Sequence, residues 1–200
     1  MKVLFLGYAS SSIIPFLRDK GCLVTPIEDR LSMESSDLSA YDMLISFGYR
    51  YILKSSVLDC FKDRAFNLHI SLLPWNRGAH PNFWALFDGT PSGVTVHHLD
   101  AGIDTGPIAF QKTARFDWDN ETLRTSHGKL IAMIEKLFIE KWDELRANAV
   151  PKESQEEKGT THRKRDLERV FPLLSNGWDT PALEVMRLGK RCRDKERAEE

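Results

Sequence analysis

Two hundred residues, 42% of them hydrophobic and 28% charged, suffice for one ordinary globular core with room for a small appendage. Lys and Arg number 28 against 29 Asp and Glu, a formal net charge of −1, so no global field favours nucleic acid or another polyanion. Three cysteines (Cys22, Cys60 and Cys192) without a CxxC pair argue against a disulfide framework or a zinc cluster and suit a reducing, cytoplasmic compartment.

In chain order, the apolar run Val3 to Leu6, closed by Gly7, predicts a buried strand. Ser10 to Ser12 and Pro15 break the apolar character soon after it, which argues against a signal peptide, and no run is long enough to span a bilayer. Ile13 to Lys20 predicts a short helix stopped by Gly21, and Cys22 to Ile27 a second strand. Glu28 to Ala40, rich in Ser and Asp, predicts a loop. Met43 to Phe47 is a further strand ending at Gly48, Ser55 to Phe61 a short helix, and Ala65 to Ile70 another strand. This β-α-β rhythm predicts an α/β front half with a parallel sheet, in which ligands sit beyond the carboxyl ends of the strands. Gly7-Tyr8-Ala9-Ser10 lacks the later glycines of a GxGxxG turn, which argues against dinucleotide binding.

Pro81 to Phe87 predicts a helix. Val94 to His98 and Ile108 to Phe116 predict two strands paired as a hairpin around the turn-rich segment Asp100 to Pro107, which would give the sheet a mixed edge. Glu121 to Arg146 is the clearest helix: Leu123, Leu130, Ile131, Ile134, Leu137, Phe138, Trp142 and Leu145 share one stripe, with Asp119 or Asn120 as cap. After Pro151 the chain turns polar, and the tail carries the basic run His162 to Arg165, read as a solvated surface, and an apolar patch from Val170 to Leu174. Residues 1–150 are therefore expected to form the main domain and 151–200 a small C-terminal appendage.

The chemistry-bearing segment is Phe66-Asn67-Leu68-His69-Ile70-Ser71-Leu72-Leu73-Pro74. Asn67 and His69 are two apart, so on a strand they project from one face. Asp104, in a glycine-flanked loop, supplies a carboxylate that could approach His69. Such a trio suits acyl transfer to an amine: an amide donor for a developing oxyanion, an imidazole to carry a proton, and a carboxylate to orient it. Taken alone, Asn-x-His on a strand is more often structural, and Asp104 before Thr-Gly-Pro more often a turn residue. His80, His97 and His98 raise the question of metal, but no HxxxH or cysteine partner accompanies them, so no metal is expected.

From Phe66 to Lys112 the chain strongly resembles the folate-dependent formyltransferases, which include methionyl-tRNA, glycinamide ribonucleotide and sugar N-formyltransferases. Asn-x-His, Ser-Leu-Leu-Pro, Gly-Val-Thr-Val-His and Asp-Thr-Gly-Pro-Ile succeed one another in that order. The resemblance implies a Rossmann-like formyltransferase fold with a mostly parallel, mixed-edge sheet. It implies Asn67, His69 and Asp104 as catalytic residues and 10-formyltetrahydrofolate as formyl donor. It further implies donor binding by Tyr51, Ile52, Leu53, Asp100 and Ile103, and acceptor binding by Tyr8, Ser10, Trp75, Arg77 and Gly78. Relative to larger members the first half is shortened, and Glu28 to Ala40 is the expected place.

Among acceptors, the loop from Pro74 to Trp84 resembles the sugar enzymes; Arg77 suits a phosphate, and Trp75 or Trp84 a sugar or base, although core packing would equally account for Trp84. The expected acceptor is thus the amine of a nucleotide-linked amino sugar. Charged tRNA is disfavoured by the near-neutral charge and a tail too short for a separate barrel. Three readings compete with the sugar: glycinamide ribonucleotide as acceptor, hydrolysis of formyltetrahydrofolate, and a non-catalytic folate-binding module. The resemblance and the apolar patch at Val170, Phe171, Leu173 and Leu174 together imply a homodimer with no membrane association.

Overall fold

The computed structural model describes residues 1–32, 35–155 and 158–199, so part of the expected loop (33–34) and part of the polar stretch before Lys158 (156–157) lie outside the described residues. In chain order the elements are β1 (Lys2–Gly7), α1 (Ile13–Asp19), β2 (Leu23–Ile27), α2 (Ser35–Leu38), β3 (Met43–Phe47), α3 (Ser55–Phe61), β4 (Ala65–His69) and β5 (Arg77–Gly78). There follow α4 (Pro81–Asp88), β6 (Gly93–His98), β7 (Ile108–Thr113), α5 (Leu123–Glu140), α6 (Trp142–Ala147), β8 (Thr161–His162), α7 (Lys164–Glu168) and α8 (Ala182–Glu199).

The large sheet runs β2-β1-β3-β4-β6-β7. β1 pairs in parallel with β2 and β3, β3 in parallel with β4, and β4 antiparallel with β6. The mostly parallel sheet with a mixed edge is as expected. β1 and β3 are buried on both faces along almost their whole length, which is why they read as apolar runs rather than alternating ones. β7 returns beside β6, the His98 N–H donating to the Pro107 carbonyl at 2.8 Å. The strand order reverses between β1 and β3, and their carboxyl ends meet where the Tyr8 N–H donates to the Phe47 carbonyl at 2.9 Å.

Contacts sort the chain into two compact units that alternate along it. The first comprises Met1–His69, Thr95–Phe110 and Met133–Gln155; the second comprises Ile70–Val94, Gln111–Ala132 and Glu156–Glu200. Within the first, Leu4, Leu6, Leu38, Leu44, Phe61 and Ala65 form one apolar cluster beside the sheet. Within the second, Phe83, Trp84, Phe87, Leu123, Ala182 and Val185 are the centre of another. α8 approaches α4 through Gly189, where a Cβ would lie 1.8 Å from the Phe87 carbonyl oxygen, and the Arg193 guanidinium donates to that same oxygen.

Several elements differ from expectation for local reasons. Glu28 to Ala40 is not all loop: Ser35–Leu38 makes one helical turn that buries Leu38. The long amphipathic helix is two, because Lys141 departs from helical geometry (φ −102°, ψ 7°); its stripe is buried through Leu145, with Ile131 only partly covered. Neither Asp119 nor Asn120 caps α5; both lie in a 3₁₀ turn, and the Thr122 hydroxyl accepts the Thr125 N–H at 3.2 Å instead. The strand expected to reach Phe116 stops at Thr113. The tail patch is not an exposed strip: Leu174 is buried, Val170 and Phe171 pack on the second cluster, and Leu173 is exposed. Nor is the basic run wholly solvated: His162 stacks on Trp84 at 3.9 Å and pairs with Asp88 at 2.8 Å, which makes Trp84 a core residue.

His98 is buried against Phe66, its Nε2–H donating to the Pro151 carbonyl at 3.3 Å, and burial holds its pKa below the ordinary 6.5. The unfolded chain then protonates first as pH falls, so this stability is full above pH 6.5 and lost as pH drops through the lower, folded value. We expect the midpoint of thermal unfolding to fall between neutrality and mild acid, and His98→Leu to flatten that dependence. An unchanged slope in the variant would contradict the assignment.

Candidate active site

Asn67 and His69 stand on β4, and its antiparallel pairing with β6 places His97 directly opposite Asn67. Opposed residues share a face of the sheet, so three polar side chains gather on one patch. Asp104 completes it. The Asn67 amide donates to Asp104 Oδ1 at 2.9 Å and lies 3.2 Å from His97 Nε2. His97 Nε2 is 3.4 Å from Asp104 Oδ1, and His69 Nδ1 is 3.6 Å from Asp104 Oδ2. His69 and His97 are 6% and 1% exposed, so all these interactions act where water screens them little.

His97 Nδ1 is 2.8 Å from the His98 carbonyl, which can only accept. Nδ1 therefore carries a hydrogen, and in the neutral ring Nε2 is left to accept from Asn67. Asn67, through its two amide hydrogens, thus links an imidazole to a carboxylate. The sequence motifs pointed to Asn67, His69 and Asp104, and these three do meet. His97 is the fourth member; the motif Gly-Val-Thr-Val-His contains it, but only strand register reveals its partner.

Asp104 reaches the patch because the loop after β6 folds back. Gly106 lies where a Cβ would sit 1.8 Å from the His98 carbonyl oxygen, so only glycine permits the approach. Asp100 is spent within the loop: its carboxylate accepts from the Gly102 N–H at 3.0 Å and from the Thr105 hydroxyl at 2.8 Å. Ile103 is 45% exposed.

Beyond β3, Tyr51 and Ile52 are 36% and 76% exposed, whereas Leu53 packs on the apolar cluster of the first unit. Arg30 lies over the Tyr51 ring at 5.3 Å. Tyr8 packs edge-on against Phe47, its ring over Gly48, where a Cβ would meet it at 2.4 Å. Ser10 is exposed; its neighbours Ser11 and Ser12 give their hydroxyls to Glu135 at 2.6 and 2.8 Å, a tie invisible in the sequence because 124 residues separate Ser11 from Glu135. Trp75, Arg77 and Gly78 belong to the second unit and are partly buried. There the Arg77 N–H donates to the Thr160 carbonyl and the Ala79 N–H to that of His162, both at 2.9 Å, which pairs β5 with β8. Among the described residues no group of three or more His, Cys, Asp or Glu is arranged to hold a metal, and no helix is long and apolar enough to cross a membrane.

Comparison with known proteins identifies the family. The formyltransferase PseJ from Anoxybacillus kamchatkensis, solved in complex with UDP-4,6-dideoxy-4-formamido-L-AltNAc and tetrahydrofolate, is 40% identical. It superposes with a TM-score of 0.89 over 94% of this chain and 100% of that one. A methionyl-tRNA formyltransferase of Geotalea daltonii is 33% identical over 138 residues, which is 68% of this chain and 44% of that protein. A dTDP-4-amino-4,6-dideoxyglucose formyltransferase of Mycobacterium tuberculosis is 28% identical over 137 residues, 68% of this chain and 57% of its own. The chain spans about half the length of the curated relatives it matches. The family described as Formyl transferase matches residues 26–140, more than half of the sequence, and the chain belongs to it.

Proposed function

We propose that the protein transfers a formyl group from 10-formyltetrahydrofolate to the primary amine of a nucleotide-linked amino sugar. The observation that carries this is the 40% identity to PseJ over 94% of this chain, together with the Asn67–His69–His97–Asp104 patch. The exposed apolar side chains Tyr51, Ile52 and Ile103 suit a flat pterin, which supports the donor assignment. The donor supplies an activated formyl carbon bonded to N10.

His69 accepts the proton that the attacking amine must lose and returns it to N10, so that a formamide and tetrahydrofolate leave. Asn67 donates to the oxygen on which negative charge gathers, turning to it one of the two amide hydrogens that otherwise go to His97 and Asp104. Asp104 orients the ring and keeps Nδ1 protonated, leaving Nε2 to exchange the proton. The 3.6 Å from His69 to Asp104 exceeds a direct hydrogen bond and is a distance that substrate binding or an intervening water closes.

Residues 1–150 carry the chemistry in this proposal and 151–200 serve as an appendage. Leu53 and Asp100 assist the donor through their loops, and Tyr8, Ser10, Trp75, Arg77 and Gly78 serve the acceptor. The protein acts in the cytoplasm as a homodimer: Cys22, Cys60 and Cys192 form no disulfide, and Leu173 and Trp178 are large apolar side chains exposed in the second unit. A monomer by light scattering at micromolar concentration would contradict the dimer. The function is tested by turnover of 10-formyltetrahydrofolate with a panel of UDP- and dTDP-linked amino sugars. Acceptor-dependent release of tetrahydrofolate is expected; release without acceptor would indicate hydrolysis, and release only with charged tRNA would overturn the sugar assignment.

A further inference from the structure

The polar stretch after α6 has no helical or strand periodicity, yet it runs back along the edge of the large sheet. Ile108 and Glu153 exchange both main-chain hydrogen bonds, at 2.8 and 3.0 Å. Two residues on, the Gln155 carboxamide nitrogen donates to the Asp104 carbonyl at 2.8 Å and to the Gly106 carbonyl at 2.7 Å. Both acceptors are main-chain atoms of the loop that carries the Asp104 carboxylate.

We propose that Gln155 is a positioning residue that staples this loop and thereby aims Asp104 at Asn67, His97 and His69; its consequence for catalysis rests on the formyl-transfer assignment above. Asp104 sits at φ 54°, a left-handed conformation that a residue with a side chain adopts only when its surroundings hold it. One planar nitrogen with two hydrogens meets the carbonyls on either side of Thr105, fixing two peptide planes at once. The carboxylate of Asp104 is then set by a side chain that bonds to the loop backbone, from a segment expected to lie outside the catalytic domain. Asparagine is a methylene shorter, and glutamate turns acceptors toward acceptors.

Gln155→Glu preserves shape and removes both donors. A displacement of about 1 Å in a catalytic group costs roughly a hundredfold in rate, so kcat is expected to fall by about that factor while KM for both substrates changes far less. Because a protonated carboxyl regains one donor, the variant's kcat relative to wild type should recover as pH is lowered, a recovery that Gln155→Ala lacks. Hydrogen–deuterium exchange of residues 100–107 gives a readout independent of activity, and is expected to be about tenfold faster in both variants. Wild-type exchange in that loop, or wild-type kcat in both variants, would overturn the staple. If the wild-type chain transferred no formyl group while loop exchange still accelerated, the functional assignment would fail and the staple would stand.

Discussion

His69→Ala should lower formyl-transfer turnover by about two to four orders of magnitude, the usual contribution of a positioned general acid–base. The ring is 6% exposed at the end of β4, so the change empties a small volume at a strand terminus and spares the apolar cluster beside the sheet. The variant should therefore fold, bind folate and unfold in one transition near that of the wild type. His97 is the internal control. It shares the patch and lies 3.4 Å from Asp104, but its Nδ1 is committed to the His98 carbonyl. If proton transfer belonged to His97 instead, His69→Ala would keep near-normal turnover and His97→Ala would lose it.

The second large effect is expected at Asp104. Asp104→Asn keeps size and still offers Asn67 an acceptor, but it turns an amide N–H toward His69 Nδ1. That favours the tautomer with Nδ1 bare and Nε2 protonated, in which the imidazole cannot accept a proton from an amine. Turnover should fall by about two orders of magnitude or more. Folate affinity should stay close to wild type, because the side chains proposed to hold the pterin, Tyr51, Ile52 and Ile103, are unchanged. Stopped-flow or equilibrium folate binding beside steady-state kinetics separates the two quantities. Full turnover in Asp104→Asn would reduce the loop to a structural turn, and a parallel loss of folate binding would make Asp104 a binding residue.

Features legible in the sequence are those set by local interactions. Val3 to Leu6 and Met43 to Phe47 announce themselves because strands buried on both faces are apolar at nearly every position. Asn67 and His69 share a face by strand alternation alone. His97 is not legible as a site member because its partnership depends on the register between β4 and β6, and nothing within either strand states that Asn67 lies opposite it. Gln155 is hidden for the same reason in stronger form: it bonds to main-chain atoms 49 and 51 residues away, which leave no trace in side-chain pattern. α8 gives no clear helical signal because charged residues dominate it; besides Ala182 and Val185, Met186, Leu188 and Cys192 pack on the second cluster, and Gly189 meets the Phe87 backbone. Trp84 stays open between ligand stacking and core at the level of sequence, and its stack on His162 comes from a two-residue pairing, β5 with β8, too short to show periodicity.

Formyl transfer to an amino sugar is tested most directly by following the carbon itself. 10-Formyltetrahydrofolate labelled with ¹³C at the formyl group, incubated with the protein and a UDP-linked amino sugar, should place the label on the sugar nitrogen as a formamide, seen by NMR and mass spectrometry. Asp104→Asn should leave nearly all of it on the donor over the same interval. Label recovered as free formate, or retained on the donor with every nucleotide-linked amino sugar supplied to the wild-type protein, would contradict the proposed reaction.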